Sequence, residues 1–176
     1  MNLFLNFAIH VALLAFPTIQ AESSQPQSHD KCPLHKQHRL DEVNRRGDHQ
    51  MGFSHEKTTH RFRLYEDGGA IEVNANNAAD AESREQIQKH LAHIAQMFSE
   101  GNFSTPKAVH NEEPPGTSAM VRLRSDISYK YETTERGGRV RITASAKEAL
   151  NAVHEFLRYQ IRDHHTGDSL EIEKRN

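Results

Sequence analysis

Two stretches of this chain alternate apolar and polar residues with period two, two others repeat apolar residues with a period near 3.6, and their order along the chain defines a fold. Phe62 and Leu64 alternate with Arg61 and Arg63, Glu66-Asp67-Gly68-Gly69 supplies turn residues able to take positive φ, and Ile71 and Val73 resume the alternation. The pattern returns at Ile127, Tyr129 and Tyr131, with a loop carrying Arg136-Gly137-Gly138 and then Val140 and Ile142 at the same distance from the glycine pair. Both stretches predict hairpins with one apolar face, and their matched spacing marks an internal repeat.

Each hairpin leads into a helix. Ile87, Leu91, Ile94, Ala95 and Phe98 form an apolar stripe that Asp80 can cap and Gly101 can end. Ser145-Ala146-Lys147-Glu148 has capping-box spacing ahead of a second stripe at Leu150, Val153, Leu157 and Ile161. The chain therefore predicts an α+β fold: duplicated β-β-α units forming a four-stranded antiparallel sheet with two helices on one face. Between the units, residues 101–126 hold Pro106, Pro114, Pro115 and Gly116, so the connection is expected to be irregular, with a short strand at Met120 to Leu123. A connection this long in a small domain often wraps over a site.

The pattern changes at both ends. Leu3 to Phe16 is apolar over the length of a signal-peptide core and precedes Pro17 and Ala21, so residues 1–21 are expected to be a signal peptide and the protein to be periplasmic or secreted. The competing expectation is a buried N-terminal helix. Residues 22–57 are polar and poor in aliphatics, which predicts a mobile His-rich arm ahead of an α+β domain at 58–165. Residues 166–176 form a charged tail expected to fray.

Charge and composition narrow the function. With 22 basic and 24 acidic residues the formal charge is −2, without the basic footprint of a nucleic-acid binder, and no second apolar run is long enough to span a membrane. Thirteen histidines accompany a single cysteine, Cys32. Protonating the twelve histidines beyond residue 21 would change the formal charge to +10, so mild acid inverts its sign.

Placed on the predicted elements, several histidines converge. His60 is in phase with Phe62 and should face the helices, His90, His93 and Met97 run along one flank of the first helix, and His154 lies inside the stripe of the second, with His164 near the same meridian. Imidazoles at i and i+3 can chelate one ion and a thioether selects softer metals, so His60, His90, His93, Met97 and His154 form a candidate copper or zinc site. The structural alternative is that each imidazole is a core or flank residue satisfied by one hydrogen bond. In the arm, Cys32, His35 and His38 have spacings suited to loose metal capture.

Catalytic signatures are missing from the sequence. His55 and His60 stand at i and i+5, which does not place them on one helical face as a zinc-protease motif requires, and there is no Gly-x-Ser-x-Gly elbow and no Walker loop. Arg46-Gly47-Asp48 matches a cell-adhesion tripeptide by composition only.

Met51-Gly52-Phe53, Lys57-Thr58-Thr59-His60-Arg61-Phe62, Asp67-Gly68-Gly69-Ala70-Ile71-Glu72-Val73, His90-Leu91-Ala92-His93-Ile94, Pro114-Pro115-Gly116 and His154 to Ile161 together resemble a family of small exported bacterial proteins of unestablished activity. Some members carry the label aspartate carbamoyltransferase. The resemblance implies export and folding as one unit over about residues 40 to 168. The Ser-Thr-Arg-Thr phosphate-binding element of such transferases is absent here, so that activity is not expected.

Two functions stand as expectations. The first is an exported protein that binds copper or zinc through the histidines at the sheet-helix seam. The second is a module that binds a small ligand or partner without metal, using the Pro-rich connection, with the histidines serving as core residues. An enzyme using His154 or His90 as general base ranks third, for want of a convergent nucleophile.

Overall fold

Strands β1 (Thr58–Tyr65) and β2 (Gly68–Ala75) pair antiparallel, as do β3 (Ile127–Thr134) and β4 (Gly137–Ala144). Pairing of β2 with β4 joins the two hairpins into one antiparallel sheet of order β1-β2-β4-β3. These relations come from a computed structural model that describes residues 33–174; the expected signal peptide and Cys32 lie outside the described residues.

Register explains why one face of the sheet is apolar. Phe62, Ile71, Val140 and Tyr131 stand opposite one another across all four strands, as do Leu64, Gly69, Ile142 and Tyr129. Helices α2 (Ala81–Ser99) and α5 (Lys147–Asp163) cover this face crosswise: α2 follows the first hairpin but lies chiefly against β3 and β4, and α5 lies against β1 and β2. Each repeat thus shelters the other, and Leu64, Ile87, Leu91, Ile142, Phe156 and Leu157 are almost wholly buried between them. Burial of each such side chain favours folding by about 1.5–3 kcal/mol.

The glycine pairs act differently from expectation. Each hairpin turns on two residues, Glu66-Asp67 and Glu135-Arg136, while the glycines open the following strands. Gly68 does take positive φ (145°), but Gly69 is required by close approach, since a Cβ there would overlap the Leu157 side chain and the Arg63 carbonyl oxygen. It lets α5 settle directly on the sheet.

Several local expectations are corrected. Residues 33–51, expected within a mobile arm, form helix α1 (Pro33–Met51), whose Val43 is fully buried, because Leu40, Val43, Gly47 and Met51 recur along one helical face. The connection holds α3 (Ser104–His110) and α4 (Thr117–Arg122), so Met120 is a buried helical residue and no strand forms at Met120 to Leu123. Asp80 caps α2 through a bond from Ser83 N–H, but the capping box before α5 is not made: Ser145 bonds toward the Asp126 carbonyl and Glu148 pairs with Arg122. The tail is pinned rather than frayed. Asp168 accepts the Phe62 N–H at 2.8 Å, and Glu173 pairs with Arg63 and donates its N–H to Leu64 O.

Candidate functional site

Where α1, α3 and α5 meet the β1 end of the sheet, the chain leaves a crevice in two compartments. The inner one has a cavity volume of about 70 Å³ and apolar walls that include Phe62, Ile71, Leu91, Ile94, Phe98 and Phe156. Helix α3, from the Pro-rich connection, closes one side with Thr105, Pro106, Val109 and His110. The outer compartment, about 270 Å³, is more polar and lies against Leu40, Asn44 and Gly47 of α1. Met51, His60 and His164 border both.

Imidazoles dominate the polar part of the inner wall: His60, His90, His110 and His164 all line it. His60 reaches it because the pleat directs it inward with Phe62, two residues on; the His60 and His164 rings lie parallel, with centroids 5.9 Å apart. Phe53 packs on His60 at 6.0 Å and edge-on to His90 at 5.6 Å. Burial lowers His60 from 6.5 to about 4, with the neighbouring His90 adding to the shift, and burial likewise lowers His90 to about 4, with a smaller contribution from His93. His164 is held well below its ordinary value, first by burial and then by His60 and His110. These three rings are therefore neutral at pH 7.

His110 is bound differently. Its Nδ1 lies 2.5 Å from Asp163 Oδ2 and its Nε2 lies 2.9 Å from Gln160 Oε1, within a pocket where His110 and Gln160 are each only 4% exposed. Burial alone would raise Asp163, yet hydrogen bonds from His110 and Arg39 overcome it and hold the carboxyl at about 2. Arg39 of α1 donates to Asp163 at 2.6 Å and to Glu112 at 2.5 Å, and Tyr159 donates to the same Glu112 oxygen at 2.5 Å. This network ties α1 to α5 and α3 beside the crevice.

Of the five residues expected to hold a metal, the fold brings two to this cavity. His60 and His90 line it, His93 is exposed to solvent, and Met97 is buried with its sulfur accepting from Thr105 Oγ1 at 3.7 Å. His154 is a core residue, with its Nε2 2.9 Å from both the Tyr65 and the Gly68 carbonyl oxygens, where it braces the first hairpin. Among the described residues no group of three or more His, Cys, Asp or Glu side chains is placed to hold a metal ion. No helix among them is long and apolar enough to cross a membrane.

His110, Gln160 and Asp163 belong to the site and were not singled out from the sequence. Gln160 and Asp163 did leave a signal, as polar residues at i and i+3 on the buried side of an otherwise apolar helix. The Arg46-Gly47-Asp48 tripeptide is engaged internally: Arg46 donates to the Val109 carbonyl at 2.7 Å, Gly47 is buried, and Asp48 accepts from the His55 N–H at 2.7 Å. No family model, curated protein or solved structure matches the chain.

Proposed function

We propose that this protein is an exported binding module whose inner compartment takes a small, uncharged, largely apolar ligand. The observation that carries the reading is the wall itself. Among the described residues no Asp, Glu, Lys or Arg lines the inner compartment, and its imidazoles at positions 60, 90 and 164 are held uncharged by their removal from water. Such a surface gains from covering apolar area and has no unpaired charge to offer an ionic substrate, since the fourth imidazole, His110, is committed to Asp163 and Gln160. The connection between the repeats takes part directly, through Thr105, Pro106 and Val109. The apolar stretch from Leu3 to Phe16 supports export.

Cyclopentane is a suitable probe, being small, uncharged and without hydrogen-bonding groups. Titration into the protein is expected to shift the methyl resonances of Ile71, Leu91 and Ile94, and Thr105→Phe, which adds a ring to the wall of the small cavity, is expected to abolish those shifts. Unmoved methyl signals in the wild type would count against the reading.

A transition metal held by His60 with His90 or His164 is the second reading, supported by neutral ring nitrogens of the kind that ligate zinc and copper. Stoichiometric zinc or copper in untagged protein, lost in His60→Ala, would favour it over the apolar ligand.

A further inference from the structure

Resting on the ligand-binding reading of the crevice, we propose that Gln160 is its polar anchor: the inner compartment takes a small apolar molecule with one uncharged oxygen, of ketone, ester or ether type, and the Gln160 side-chain amide donates to that oxygen.

The argument starts from an unmatched atom. Gln160 is 4% exposed and lines the inner compartment, yet its Nε2 has no hydrogen-bond partner. Only one other buried side-chain nitrogen or oxygen among the described residues shares this condition, the Tyr129 hydroxyl, and Tyr129 does not line the crevice. Folded proteins keep few such groups, because a donor removed from water without a replacement partner is costly. An orphan donor in the wall of a cavity therefore marks where a visiting acceptor would be held.

The orientation of the amide follows from its neighbours. Gln160 Oε1 is opposite His110 Nε2 at 2.9 Å, and the other nitrogen of that ring is committed to Asp163 at 2.5 Å. Both ring nitrogens of His110 face oxygens, so the ring donates on both sides, Nδ1–H to the Asp163 carboxylate and Nε2–H to Gln160 Oε1, and the NH₂ end of the amide is the one left for a ligand. It is a donor, so the matching group is an acceptor.

Surroundings restrict the rest of the molecule. Ile71, Leu91, Ile94, Phe98 and Phe156 line the same space, which favours hydrocarbon, and the lack of a lining Lys or Arg disfavours a carboxylate or phosphate. A cavity of about 70 Å³ takes part of a small ring or a short chain, with the remainder reaching into the adjoining outer compartment of about 270 Å³.

Cyclopentanone and cyclopentane share a carbon ring and differ in one carbonyl oxygen, so the pair isolates the proposed contact. Binding of each is measured by titration to the wild-type protein and to Gln160→Met, which preserves the length of the side chain and removes the donor. Cyclopentanone is expected to bind the wild type about threefold to tenfold more tightly than the variant, the range for one net hydrogen bond. Cyclopentane is expected to bind the variant at least as well as the wild type. In the wild type the ¹H–¹⁵N signals of the Gln160 side chain should move with cyclopentanone and stay in place with cyclopentane, a readout that decides the matter if the variant fails to fold. Equal effects of the substitution on both probes, or amide signals unmoved by bound cyclopentanone, would overturn the anchor while leaving the cavity intact. If neither probe binds the wild type, the ligand-binding reading falls, and the anchor with it.

Discussion

At the scale of single residues, histidines that look alike in the sequence hold different positions. His154 is 4% exposed and bonded to two backbone carbonyl oxygens of the first hairpin, whereas His93 faces solvent. His154→Ala is therefore expected to lower the unfolding free energy by about 2–3 kcal/mol, from the lost bonds and the space left behind, with His93→Ala within about 0.5 kcal/mol of the wild type. Urea denaturation of the two variants measures both, and equal costs would contradict this placement. The inward direction of His60 was legible because a pleat has a fixed period of two. His110 was not, because α3 is seven residues long and lies among prolines, where no period has room to develop.

At the scale of elements, the two β-β-α units were legible from their alternation and stripes, and α1 was hidden by its composition. The apolar part of its contact face is Leu40, Val43, Gly47 and Met51, so polar residues dominate any average taken along the helix. Its docking also depends on ionic contacts from Arg39 to Asp163 and Glu112, which no hydrophobic pattern reports. Arg39→Ala is expected to raise amide hydrogen exchange in α1 well above that in α5. The loss in global stability should stay near 1 kcal/mol, because the Arg39 side chain is half exposed and its ion pairs are screened by solvent. Unchanged exchange in α1 would show that its apolar face alone secures it.

At the scale of the whole molecule, the partly buried His60, His90 and His164 make stability depend on pH in a defined window. His60 and His90 are lowered to about 4 in the folded chain and His164 is lowered as well, so below about 6.5 the unfolded chain binds more protons than the folded one. Stability is therefore full above that pH and falls as pH drops toward 4, by up to about 3 kcal/mol for each fully displaced ring, less where a ring retains contact with water. Asp48 near His60 and Asp163 near His164 oppose these shifts, and His55 and His110 add to them. Asp163, lowered from 3.8 to about 2, stabilises the folded chain throughout the window above pH 4, and that contribution is lost only as pH falls from about 4 through 2. Thermal melting between pH 7.5 and 4 is expected to show a declining midpoint, with a shallower decline in His90→Gln. A flat profile would mean that these rings titrate alike in the folded and unfolded chains.

The same uncharged rings and the apolar surface between them form the crevice on which the functional account depends. Cyclopentane titration followed by the methyl resonances of the inner wall tests that account most directly. It predicts saturable shifts at Ile71, Leu91 and Ile94 in the wild-type protein and none in Thr105→Phe. Shifts spread over the exposed surface, or the same response in both proteins, would contradict it.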